Sequence, residues 1–169
     1  MLSESARMST AAEARFRIDA PNSKPRHVKV IALDSTSEAL VKRLAERRWN
    51  SASFFTASAF ASAPPGRGFS MQGWLSDLAG RTKDLVDEVA SADLVVMVAS
   101  AGTGAEAAAV IGEACAVRKV MTTALIIDSK SKSDQELSKT LANLRPHASM
   151  LVIAHDEEYI EAMLAALPA

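Results

Sequence analysis

The sequence predicts an α/β fold: a three-layer, doubly wound, mainly parallel sheet of about five strands, Rossmann-like in architecture. Two observations carry that prediction. Short apolar runs alternate with stretches of helical period along most of the chain, the pattern of βαβ units. Residues 94–99 are apolar without a break, as in a strand covered on both faces. The chain has 169 residues, 49% of them hydrophobic and 23% charged. That is enough apolar material for one core and too much for a disordered chain.

Each element has its own local signal. Residues 1–26 are rich in Ser, Ala and Arg, lack a sustained apolar face and close with Pro21 and Pro25. They read as a mobile tail before a single α/β domain over 27–169. Residues 28–33 form a β-rich run ending at Asp34. Ser35 to Ser37 then offer N-caps for a helix over 38–48, with Leu40, Val41 and Leu44 on one face. A second strand spans 53–57. Residues 58–73 are mostly Ala, Ser, Pro and Gly around Pro64-Pro65-Gly66, a long connection expected to be mobile. Residues 83–90 carry Leu85, Val86 and Val89 at helical spacing. The strand over 94–99 leads through Ser100-Ala101-Gly102-Thr103-Gly104 into an alanine-rich helix over 105–118. A further strand covers 120–127. Ser133 and Glu136 have capping-box spacing for a helix over 133–144, which Arg145-Pro146 stops. A last strand over 149–154 and a last helix over 157–167 complete the pattern.

Composition narrows the function. A net charge of −1 argues against a nucleic-acid binder. The single cysteine excludes an internal disulfide and a cysteine-rich zinc site. No apolar run reaches the ~20 residues that cross a membrane, and a cytoplasmic location is expected.

In doubly wound sheets ligands bind beyond the carboxyl ends of the strands, where strand order reverses. The loops after the first and third predicted strands are the candidates. Glycine lets main-chain N–H groups approach a ligand, and a helix N-terminus favours an anion. The candidate ligand-binding residues are therefore Asp34, Ser35, Ser37, Ser100, Gly102, Thr103 and Gly104, with a nucleotide or small phosphorylated molecule as ligand. Replacement of Gly102 by valine is expected to weaken binding and leave the fold intact. No catalytic or metal-ligating residue is assigned. His155, with Asp156 or Asp128 to orient it, is the alternative for a small-molecule enzyme, and Lys130 and Lys132 could touch an anion. Cys115 reads as a packed thiol, and His27 and His147 as surface or capping residues. Trp49 and Trp74 are candidate contact residues, and Met97, Met121, Met150 and Met163 are expected in the core.

Residues 92–111, from Ala92-Asp93-Leu94-Val95 through Gly102-Thr103-Gly104 to Val110-Ile111, resemble the signature segment of the tubulin/FtsZ family. There a strand runs into a glycine-rich loop over the nucleotide phosphates, and a small-residue helix follows. Val28-Lys29-Val30-Ile31 is similar to that family's first strand. The resemblance implies a related nucleotide-binding domain over residues 27–155. The first loop here, Leu33-Asp34-Ser35-Thr36-Ser37, has no glycine, so neither GTP hydrolysis nor filament formation is expected. A second reading is a non-catalytic interaction or assembly protein that kept the fold, with a second copy packing on the alanine-rich helix.

Overall fold

The computed structural model describes residues 26–57, 74–78, 81–102, 106–128 and 133–166. The tail up to residue 25 and the connection over 58–73 lie outside the described residues. In chain order the elements are β1 (Val28–Ala32), α1 (Ser35–Ala45), β2 (Ala52–Thr56), β3 (Trp74–Asp77), β4 (Thr82–Asp84), α2 (Leu85–Ala90), β5 (Leu94–Ser100), α3 (Glu106–Arg118), β6 (Met121–Ile127), α4 (Asp134–Leu144), a 3-10 turn (Arg145–His147), β7 (Met150–Ala154) and α5 (Glu157–Ala166).

The strands form one sheet in the order β4-β3-β2-β1-β5-β6-β7. The five strands expected from the sequence are present and mutually parallel. Counted among themselves they run 2-1-3-4-5, the flavodoxin-like order. β1 and β5 are therefore neighbours, and the chain builds outward from that pair in both directions.

Side-chain alternation on the strands produces two cores. On β5, Val95, Met97 and Ala99 join Ile31, Phe55, Leu85, Ile111 and Leu144 beneath α2, α3 and α4. Leu94, Val96 and Val98 join Val28, Val30, Leu40, Leu44, Ile160 and Leu164 beneath α1 and α5. Every residue of β5 is buried, which is why that run is apolar without alternation. Lys29 is the charged residue of β1. Its Nζ lies 3.0 Å from Glu88 Oε2 on α2 and 5.7 Å from the centre of the Phe55 ring.

Several expectations are corrected. The sheet gains an antiparallel hairpin, β3–β4, on the β2 edge. Its turn is tied by the Arg81 amide and Nε donating to the Asp77 carboxylate at 2.9 and 2.7 Å. β4 takes the start of the helix expected over 83–90. That helix begins at Leu85 because the Asp84 side chain accepts from the amides of Val86 and Asp87. Two of the alanines of α3, Ala107 and Ala108, are buried in the core with Ile111 and Cys115 and serve this chain's own sheet, while Ala109 and Ala114 are half-buried and Ala116 is exposed. Trp49 is half-buried and also packs against the core. Its indole N–H donates to the Leu44 carbonyl at 2.7 Å, and its ring packs on Phe54. Met97 is in the core, but Met121 and Met150 are 58% and 44% exposed. Both open their strands at the amino edge of the sheet, beyond the cover of the helices.

Candidate functional site

The strand order reverses between β1 and β5, and the loops that leave them meet at the carboxyl edge of the sheet. Asp34 follows β1 in an extended conformation and caps α1. Its Oδ1 accepts from the Ser37 amide at 2.8 Å, while the buried Ser37 hydroxyl donates to the Asp34 carbonyl at 3.0 Å. The cap is thus Asp34, not Ser35 to Ser37. A carboxylate placed straight off a strand, against the positive end of a helix, is the stronger cap.

The same carboxylate crosses the reversal point. The Ser100 amide donates to Asp34 Oδ2 at 2.8 Å, and the Ser100 hydroxyl donates to Oδ1 at 3.0 Å. Two residues 66 positions apart therefore lock the two loops into one frame. Asp34 is consequently a structural clasp here, rather than a group facing a ligand alone. Ser35 is exposed on the first turn of α1.

Beyond Ser100 the chain turns at Gly102, which has φ +86. Few L side chains adopt that conformation, so glycine is required here. The Gly102 amide donates to Thr140 Oγ1 at 3.0 Å, and the Thr140 hydroxyl donates to the Glu136 carbonyl at 3.2 Å. A Cβ on Gly102 would stand 3.2 Å from Glu136 Oε1. Valine at this position would therefore strain the fold as well as the site, contrary to the expectation that it spares the fold. Thr103 and Gly104 lie outside the described residues.

Glu136 and Thr140, not foreseen as site residues, hold this loop from α4. The sequence carried half of the signal. Ser133 and Glu136 form the expected capping box, but the same Glu136 also flanks Gly102. Thr140, one turn later, is fully buried. A buried hydroxyl inside a helix can bond the carbonyl four residues back and still accept from a second chain segment.

The carboxylates of Asp34, Asp128, Glu136 and Asp156 all sit on loops or helix starts at this edge. His155 Nδ1 lies 3.6 Å from Asp128 Oδ2, and its side chain is 67% exposed. Asp156 is engaged at the start of α5, where Oδ1 accepts from the Tyr159 amide at 2.7 Å. Asp128, not Asp156, is therefore the carboxylate near His155. Lys130 and Lys132 lie outside the described residues. Among the described residues no group of three His, Cys, Asp or Glu side chains is arranged to hold a metal ion, and no helix is long and apolar enough to cross a membrane.

A cleft of about 460 Å³ opens at the opposite, amino end of the sheet. Gly112, Cys115, Thr122, His147 and Ser149 are among its lining residues. None of the residues singled out for ligand binding lines it. His147 is a packing residue here, pressed against Gly112 with its carbonyl accepting from Thr122 Oγ1 at 3.0 Å. Burial pushes the Cys115 thiol from 9.0 up to about 11, which keeps it protonated and unreactive at neutral pH.

Comparison of the chain with protein-family models and with curated proteins finds no match.

Proposed function

We propose that this chain is a cytoplasmic, non-catalytic binding module for a small nucleotide or phosphorylated molecule, seated between the loops that follow β1 and β5. The observation that carries the reading is the clasp at the reversal point. Strand order turns there, and Asp34 and Ser100 fix the two loops against each other before any ligand arrives. Loops already held together in this way avoid the entropy of being ordered on binding. The thirteen-residue α3 begins four residues after Gly102, and the positive end of its dipole would favour an anion there. The resemblance of residues 92–111 to the tubulin/FtsZ signature segment supports the same ligand class. The β1 loop supports binding without GTP hydrolysis: it is occupied by a helix cap and has no glycine to bring main-chain amides over a polyphosphate.

A specific observation favours the second reading, an interaction protein without a ligand. The Ser100 and Gly102 amides already donate to Asp34 and Thr140. They are two of the donors a phosphate would use.

Thermal-shift and calorimetric titration with GTP, GDP, ATP and inorganic phosphate separates the two. A ligand present at one hundred times its Kd stabilises the native state by about 2.7 kcal/mol. The exposed Ser35→Glu variant should weaken that ligand's binding by charge repulsion and leave the melting temperature of the free protein unchanged. No shift with any of these compounds at millimolar concentration would reject the nucleotide reading in favour of the second.

A further inference from the structure

The two edges of the sheet are unlike. β4, at one edge, has three residues, two of them Lys83 and Asp84; short charged edges resist pairing with other strands. β7, at the other edge, is Met150-Leu151-Val152-Ile153-Ala154. It carries no charge, proline or glycine. Met150 and Ile153 are 44% and 38% exposed, and Leu151 and Val152 are half-buried.

The outer main-chain side of β7 is unpaired among the described strands as well. β7 pairs in parallel with β6, with Thr123 opposite Met150 and Ile127 opposite Ala154. The Asp128 amide donates to the Ala154 carbonyl at 2.9 Å. Alternation along the ladder then directs Val152 and Ala154 toward β6, and turns the N–H and C=O groups of Leu151 and Ile153 outward. Among the described strands, none pairs with that side.

We infer that β7 is a homodimer interface, pairing antiparallel with β7 of a second copy about a two-fold axis at Val152. This proposal is independent of the switch-point site. In that register Leu151 of one copy faces Ile153 of the other, and each such pair exchanges two main-chain hydrogen bonds. Met150 faces Ala154, a large side chain opposite a small one. The flanks agree in charge. The exposed Arg145 precedes the strand, and the exposed Asp156 and Glu158 follow it. Antiparallel pairing brings the basic end of each copy to the acidic end of the other, whereas parallel pairing would set like charges together. An isologous contact of this kind closes on itself, so the product is a dimer and not a filament.

The test is sedimentation of the full chain from low micromolar to several hundred micromolar, with hydrogen exchange read at Leu151 and Ile153. A dimer is expected, with those two amides slowing as concentration rises. Ile153→Lys places a charge on an exposed edge position. It should raise the dimer dissociation constant about tenfold or more and leave monomer melting unchanged. Arg145→Glu should weaken the dimer, and Arg145→Glu with Glu158→Arg should restore it. A monomer at every concentration overturns the proposal. So does a dimer indifferent to Ile153→Lys but lost in Val117→Lys on α3, or one in which Leu151 and Ile153 exchange as fast as in the monomer.

Discussion

Gly112 sits inside α3, where replacing glycine by alanine ordinarily stabilises a helix by about 0.5–1 kcal/mol. Here the opposite is expected. A Cβ built on Gly112 would lie 2.6 Å from His147 Cβ and 3.2 Å from Cγ and Nδ1 of the same ring. Carbon atoms pack at about 3.5–4.0 Å, so roughly 1 Å of separation must be found. The imidazole can rotate, but Cβ is fixed to the main chain. That main chain is held on both sides: Thr122 Oγ1 donates to the His147 carbonyl at 3.0 Å, and the Ser149 amide donates to the Thr122 carbonyl at 2.9 Å. Pro146 further restricts the turn. Overpacking of this kind costs about 1–3 kcal/mol. Less the helix gain, Gly112→Ala should lose about 0.5–2 kcal/mol, or roughly 1–8 °C of Tm for a domain of this size. Urea and thermal unfolding by circular dichroism measure both quantities. A double-mutant cycle identifies the atom. His147→Gly removes the opposing Cβ and should make Gly112→Ala neutral or favourable, whereas His147→Ala keeps it and should not. A Gly112→Ala protein as stable as the parent would refute the close approach. Rescue by His147→Ala as complete as that by His147→Gly would move the clash to the imidazole.

Asp34→Ala removes the α1 cap and leaves the buried Ser100 amide without its acceptor; chemical denaturation should show a loss of about 2–4 kcal/mol, and Asp34→Asn a smaller one. Glu88→Ala leaves Lys29 largely buried without its counter-charge and should destabilise by about 1–3 kcal/mol, while Lys29→Met, which removes the charge and keeps the volume, should be close to neutral. Cys115 should resist iodoacetamide in the native protein at pH 8 and react on unfolding. Its thiol titrates near 11 when folded against 9.0 when exposed, so the stabilising difference is complete below pH 9 and lost as pH rises through 11. The difference is of order a few kcal/mol, and Cys115→Ala should remove that part of the alkaline decline. Gly102→Val should lower Tm even without ligand, because φ is +86 and an added Cβ would stand 3.2 Å from Glu136 Oε1; an unchanged Tm would show that the loop relaxes freely.

The parallel strands were legible in the sequence because their signals are local. An unbroken apolar run such as 94–99 needs no partner to announce that both its faces are covered, and Ser133 with Glu136 states a helix start within four residues. The β3–β4 hairpin was not legible, since its strands are only four and three residues long, three of the seven residues are charged, and they pair chiefly with each other and with the edge of β2. For the candidate site, the sequence supplied the two loops and the residue types, and tertiary structure supplied their meaning. That Asp34 clasps Ser100 across 66 positions, and that Thr140 takes the Gly102 amide, depends on β1 lying beside β5 and α4 lying over that edge. Met121 and Met150 make the same point in reverse. Their apolar character suits a core, but hydrophobicity specifies only a preference for burial. Whether a strand's first residue is covered depends on where the helices across the sheet end, and that is fixed by packing between segments remote in the chain.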